Sequence, residues 1–371
     1  MRRGFVAVWL PTCAGLALLA TACGTDKPAT QPTKFSVVAL LAQVPEAAVE
    51  DSRSVTLVFG DLDGASSAAG VPRPDPTKPL DDTEIRNWAG ALQGFTPAGG
   101  DKPSSVYMVP PEFLGSRGYA LSAELVAEIG FSLLDVHSFV EYQNVPSSFT
   151  MFRADVGAKG LTQAMGVPTN SMWKLGGADG DLGVAPSAAR QVGESLRIGA
   201  RDGFIGISRT SAPITAWLEP SVKTLGNDPA FAAIAKQLDG AKVYSAWVSK
   251  RDRSVGDNGT AAVADIKAKG WLLQPFDAVG FGSSLVDGHP VTTLVYHHDN
   301  TAEAKANGEI LARLFAQGVS SESQEPFAQF VSVKDITIDG VTVIVTLLPK
   351  DTPSVAVWKM ARDYDLPFLH E

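Results

Sequence analysis

The chain has 371 residues, 45% of them hydrophobic and 19% charged, with 31 basic against 40 acidic side chains. A net charge of −9 and the lack of a polybasic run argue against nucleic acid and anionic lipid head groups as partners. The length suits one large domain or two of ordinary size, and two cysteines are too few for a disulfide framework.

Residues 1–22 read as an export signal. Arg2 and Arg3 give a positive start, Phe5 to Ala22 carries no charge, and small residues crowd its end. The run reaches the lower limit for a membrane span, but Pro11 weakens it as a helix and no cationic stop-transfer cluster follows. Leu19-Ala20-Thr21-Ala22-Cys23 resembles the bacterial lipobox. The resemblance implies a diacylglyceryl group on the Cys23 thiol, cleavage before it, and Cys23 as the new N-terminus. Cys13 lies in the segment to be removed, so the mature chain keeps one cysteine and forms no internal disulfide. Arg2-Arg3-Gly4-Phe5-Val6 also resembles the core of a twin-arginine signal, although only Met1 precedes the pair. Both that route and the general secretory route stay open. Residues 23–34 then form the lipidated N-terminus and a polar, proline-containing tether.

Ordered structure is expected from Phe35 onward. Asp82-Thr83 precede Ile85, Trp88, Ala89, Leu92 and Phe95, an apolar stripe of helical period. Ser122 can cap a helix carrying Leu125, Val126 and Ile129. Asp228-Pro229 supplies an N-cap and first-turn proline for Phe231, Ile234, Ala235 and Leu238, with Gly240 at the end. Thr301 opens a helix with Ile310, Leu311 and Leu314 inward and Gly318 as its stop. Three segments, SLRIGA-RDG-FIGIS, SSLV-DG-HPVTTLVY and VKDITI-DG-VTVIVTLL, place Asp-Gly between apolar runs. Asp-Gly favours the positive φ angles of tight hairpins, so these read as antiparallel pairs. Hairpins mixed with helices predict an α+β fold of antiparallel sheets and packed helices.

A faint repeat runs through the first half. Ser54 to Pro72 and Ser148 to Pro168 both read as strand, Asp (61 and 155), small-residue helix, then Gly-Val-Pro. The second copy is two residues longer, an insertion assigned to the helix. A third strand-to-helix passage, 291–319, shares the layout without Gly-Val-Pro. These units predict two related strand–helix modules, 35–200 and 201–371; chance likeness of Ala/Gly-rich segments is the alternative. The stretch EIGFSLLDVHSFVEYQNVPSSFTMFRADVGAKGLTQAMG (128–166), with DPAFAAIAKQLDG (228–240), resembles uncharacterised secreted and lipid-anchored proteins of high-GC Gram-positive bacteria. That resemblance implies location and architecture, and no activity.

His297-His298-Asp299 ends a strand before a helix and is the first place to look for a polar site. Adjacent strand residues point to opposite faces, and two histidines without a third ligand fall short of a zinc centre. Asp299 or Asn300 also has work to do at the helix start. The loop Gly176 to Gly183 hints at calcium, but the twelfth position from Asp179 is Arg190, so a surface loop is the better reading. Ser171-Met172-Trp173-Lys174 matches Ser-x-x-Lys without the motifs that accompany it in known enzymes. Gly280-Phe281-Gly282 lacks the third glycine of a dinucleotide fingerprint. Asp61 and Asp155 read as turn or cap residues rather than a catalytic pair, though paired carboxylates can meet in space.

The expectation is a lipid-anchored protein on the extracytoplasmic face of the cell membrane. Its domain is expected to bind or scaffold without catalysis and without a metal or other cofactor, with an envelope ligand or protein as partner. A solute-binding lipoprotein of a transporter is one alternative. An envelope hydrolase converging on His297, His298 and Asp135 is the other.

Overall fold

The computed structural model describes residues 34–371, apart from 50–53, 79–80, 114–120, 145–146, 220, 252–253, 255–260 and 351–354. Among the described residues eleven strands form one sheet: β1 (Ser54–Asp61), β2 (Val136–Asn144), β3 (Ser147–Ala154), β4 (Met172–Leu175), β5 (Leu196–Arg201), β6 (Phe204–Ser208), β7 (Ser245–Arg251), β8 (Ala278–Val286), β9 (His289–His297), β10 (Val331–Asp339) and β11 (Thr342–Pro349). Their order is β10-β11-β9-β8-β7-β1-β2-β3-β6-β5-β4, and every ladder between them is antiparallel. This is the expected α+β class.

The three expected hairpins form. Asp202 and Gly203 (φ 49° and 80°) turn β5 into β6, and Asp287 and Gly288 (φ 51° and 78°) turn β8 into β9. Positive φ at both central positions gives the turn whose twist matches the flanking strands. In the third hairpin Asp339 instead pairs with Thr342, so Gly340 and Val341 occupy the turn.

Alternation along the strands splits the core between the two faces of the sheet. One face is covered by α1 (Val37–Leu41), α6 (Ser211–Leu218) and α7 (Pro229–Gly240). There Leu57 and Phe59 of β1 pack with Phe231, Ile234 and Leu238 of α7. The opposite face carries two groups of helices. Over β1–β6 lie α2 (Leu62–Ala69), α3 (Asp82–Leu92), α4 (Ser122–Ile129) and α5 (Ala158–Met165). Over β7–β11 lie α8 (Ala261–Ala268), α9 (Thr301–Gln317), α10 (Phe327–Phe330) and α11 (Val355–Arg362). Val58 of β1 packs against both groups.

Caps explain several helix starts. Asp228 accepts bonds from the N–H groups of Ala230 and Phe231 ahead of α7, as expected. Asn300, accepting from Glu303, caps α9. Ser122 is not a cap: it is the first residue of α4, buried, with Leu121 before it. Phe95 lies beyond α3, which ends at Leu92, and is 65% exposed. At the start of the ordered chain, Asp239 at the end of α7 receives the Ser36 hydroxyl and the Val37 N–H, both at 2.6 Å. The N-terminus of the domain is thereby pinned to its central helix.

Outward from the central β1–β7 pair, the strands run β1-β2-β3-β6-β5 on one side and β7-β8-β9-β11-β10 on the other. Each side is a strand, a helical passage, a hairpin, a second helical passage, and a hairpin whose later strand pairs with the first hairpin. β4 is an extra edge strand on the first side. Residues 200 and 201, where the sequence reading divides the modules, both lie on β5. By position in the sheet, the passage β3–α5 corresponds to β9–α9 rather than to β1–α2. The Gly-Val-Pro segments still share a local role: Gly70 and Gly166 follow α2 and α5 with φ of 66° and 80°, which favours glycine. The two extra residues of the second copy are not in the helix, since α2 and α5 both have 8 residues. They lie in the junction, where β1 runs straight into α2 but Asp155, Val156 and Gly157 separate β3 from α5.

Candidate functional site

The end of β1, the start of β2 and the end of β3 lie side by side. On β2, Val136 pairs with Ala154 and Ser138 with Arg153, which are consecutive in β3. His137 is therefore the extra residue of a β-bulge, a feature that re-aims a side chain at the rim of a sheet. Its Nδ1 lies 2.7 Å from Asp63 Oδ2 and its Nε2 2.9 Å from Asp155 Oδ1. The second contact is close but not aligned as a hydrogen bond. Asp63 comes from the first turn of α2, where a carboxylate also suits the helix dipole. Asp155, 80% exposed, comes from the lengthened β3–α5 junction.

Arg73 closes the other side. Its Nη2 lies 2.8 Å from Asp63 Oδ1, its Nη1 donates to the Leu134 carbonyl at 3.4 Å, and its guanidinium sits 5.5 Å from the Trp88 ring centroid. Burial pulls its pKa below the usual arginine value, against the pull of Asp63 and Asp61. The Trp88 indole N–H donates to Ser66 Oγ at 2.7 Å, which holds the platform in place. Arg73 also lines a groove of about 590 Å³ with Val71, Pro72, Asp81, Glu84 and Asn87.

Asp61 ends β1 beneath this group. Burial pushes its carboxyl above the ordinary range; Asp63 adds to the rise, while the Gly64 N–H, Arg153 and Arg73 oppose it. A Cβ at Gly64 would collide with that carboxylate, so the glycine lets the chain pass close. Asp135 is held apart: it accepts from the Ser132 N–H at 2.8 Å and the Ser132 hydroxyl at 3.1 Å in a capping box just before β2.

His297, His298 and Asp299 are not brought together. His297 Nδ1 lies 2.9 Å from Asp277 Oδ2. His298 points the other way and is fully buried, its Nε2 3.1 Å from the Asn307 amide nitrogen, which acts as donor. Burial pushes its pKa down to about 4, the neighbouring Asp277 opposing, so the ring is neutral and carries its proton on Nδ1. Asp299 is exposed, and Asn300 has the capping role. Cys23 lies outside the described residues.

The other motifs have structural roles. Asp179 bonds Arg197 Nε at 2.7 Å and the Ser211 N–H at 2.7 Å, so the Gly176–Gly183 loop is tied to β5 and α6. Ser171 sits in a tight turn with Asn170, both at positive φ. Gly280 lies in β8, where a Cβ would meet Ile234 at 2.5 Å and the Trp247 carbonyl at 3.2 Å. Among the described residues, no group of three His, Cys, Asp or Glu has metal-holding geometry.

Sequence reasoning missed His137, Asp63 and Arg73 because they come from separate elements. The usable signal was the repeat's Asp61 and Asp155, which do converge on one strand end. No family model, curated protein or solved structure matches this chain.

Proposed function

We propose that this protein is a lipid-anchored component of the cell envelope, held at the extracytoplasmic face through Cys23. Its α+β domain binds an envelope ligand or partner protein without catalysis. The observation that carries the reading is Cys23 itself, placed at the end of the Leu19–Cys23 segment and the one cysteine left after removal of residues 1–22. One acyl chain holds a protein at a bilayer only marginally, so the two chains of a diacylglyceryl group supply the attachment. Among the described residues no helix is long and apolar enough to cross a membrane. In cells, globomycin or Cys23→Ala should block processing or release the protein from the membrane fraction. Unaltered processing and retention in both would defeat the proposal.

One observation favours a second reading, an envelope hydrolase. His137 has carboxylates at both ring nitrogens beside a half-buried Asp61, which is acid–base equipment. Hydrolysis of chromogenic esters or glycosides that is lost in His137→Ala would support it over binding alone. The solute-binding alternative draws no support from the architecture, because that class is built on parallel βαβ lobes and every ladder between the named strands here is antiparallel.

A further inference from the structure

On the face of the sheet beneath α11, three hydroxyls stand in a row across adjacent strands. Ser245 of β7 pairs with Ser283 of β8, and Ser283 pairs with Thr292 of β9, so all three side chains leave the same face. They are 0%, 1% and 1% exposed, and none has a hydrogen-bond partner. Burying a hydroxyl unpaired is costly, and an unsatisfied group in a folded protein calls for a water or a ligand. One isolated orphan would be unremarked; three side by side form a surface.

The surroundings narrow the chemistry. Phe281, two residues before Ser283 and on the same face, packs edge-on against Trp358 of α11 with centroids 4.7 Å apart. The Trp358 indole N–H is likewise buried and unpartnered, and Tyr107 stands edge-on to the same ring at 6.1 Å. At the two ends of the row the register continues to Gly60 and Leu347, so no charged side chain shares it. Ions are disfavoured, since a buried charge needs a partner. Hydroxyls that both donate and accept, beside aromatic rings, instead match a compact ligand with many hydroxyls. Neighbouring strands lie about 4.8 Å apart, so the row spans roughly 10 Å, the reach of one sugar or inositol ring.

We infer that Ser245, Ser283 and Thr292, with the Trp358 indole, form a buried site for a small uncharged polyol or monosaccharide between the sheet and α11. The inference deepens the ligand-binding reading above and is independent of how the protein is anchored. The site is closed in this conformation, so binding requires the side chains packed over the row to move, Trp358 with its contact to Phe281 among them.

Thermal unfolding of the mature protein in detergent tests it, with glucose, myo-inositol, glucose 6-phosphate and glutamate as probes. Millimolar concentrations stay below those at which polyols stabilise proteins by exclusion. Glucose or myo-inositol should raise the midpoint of the wild type by several degrees. The variant Ser245→Ala/Ser283→Ala/Thr292→Val should fold with an unchanged or higher midpoint, because it removes orphaned hydroxyls, and should lose the shift. Ser283→Ala alone serves if the triple variant does not fold. A shift that survives in the variant would overturn the location while leaving a binding protein; a shift with the charged probes alone would overturn the ligand class. No shift with any probe, together with a crystal structure showing only ordered water on the row, would overturn the site. In that outcome the anchoring of Cys23 and any partner bound at the His137 end would be untouched.

Discussion

The end of the β2–β3 pair and the end of the β8–β9 pair occupy equivalent places in the two sides of the sheet, yet they are finished differently. Both close with one more backbone bond beyond the ladder: Asp155 N–H to the Asp135 carbonyl at 3.1 Å, and Asp277 N–H to the His297 carbonyl at 3.0 Å. Both place a histidine near an aspartate. In the first, the bulge aims His137 outward to meet Asp155 of the β3–α5 junction, so the histidine joins three elements at the surface. In the second the β8–β9 ladder is regular, so His297 and His298 point to opposite faces, and α9 seals His298 inside through Asn307. A shared topology thus makes one open polar cluster and one closed structural one. The difference comes from one extra residue in a strand, since the junctions that follow β3 and β9 both have three residues.

The closed end should be the costly one to disturb. Asn307 is fully buried, accepts the Gln274 N–H at 2.7 Å, and donates to the Gln274 carbonyl and to His298. Asn307→Ala leaves those groups unpaired, with an expected loss of about 3 kcal/mol in urea unfolding. A loss within about 0.5 kcal/mol would mean that α9 is not held this way.

Acid should act through the same end. The His298 pKa in the folded protein, about 4, lies below the ordinary histidine value of about 6.5, so between these limits the unfolded chain binds more protons. Stability is fully retained above about pH 6.5, falls as pH drops toward 4, and loses nothing further to this group below that. The total is on the order of 3 kcal/mol. His298→Phe should flatten that part of a stability–pH curve; an unchanged slope would place the proton elsewhere.

The smallest effect belongs to the open end. Asp63 is 52% exposed and Asp155 80%, so water screens their attraction to His137. His137→Ala or Asp155→Asn should change stability by less than about 1 kcal/mol, with most of that change gone in molar salt. A large, salt-insensitive loss would make this end structural as well and erase the contrast.

Much of the fold was legible because its signals are local. Asp228-Pro229, the Asp-Gly turns and the helical spacing of Ile85, Trp88, Ala89 and Leu92 each act within a few residues, through a side chain and the adjacent backbone. Where two local choices compete, the reading slipped by a residue or two, as at Ser122 and Phe95 and in the turn at Gly340. The doublet at His297 and His298 drew attention because adjacency is visible in a sequence, although adjacency in a strand separates the side chains.

What the sequence determined by itself is the antiparallel hairpins and most helix starts, all governed by near neighbours. The order of the strands, the meeting of His137 with Asp63, Asp155 and Arg73, and the alignment of Ser245 with Ser283 and Thr292 were decided only by the tertiary structure. These groups are brought together by register between strands that are distant in the chain, and register depends on how whole apolar faces pack rather than on any short motif.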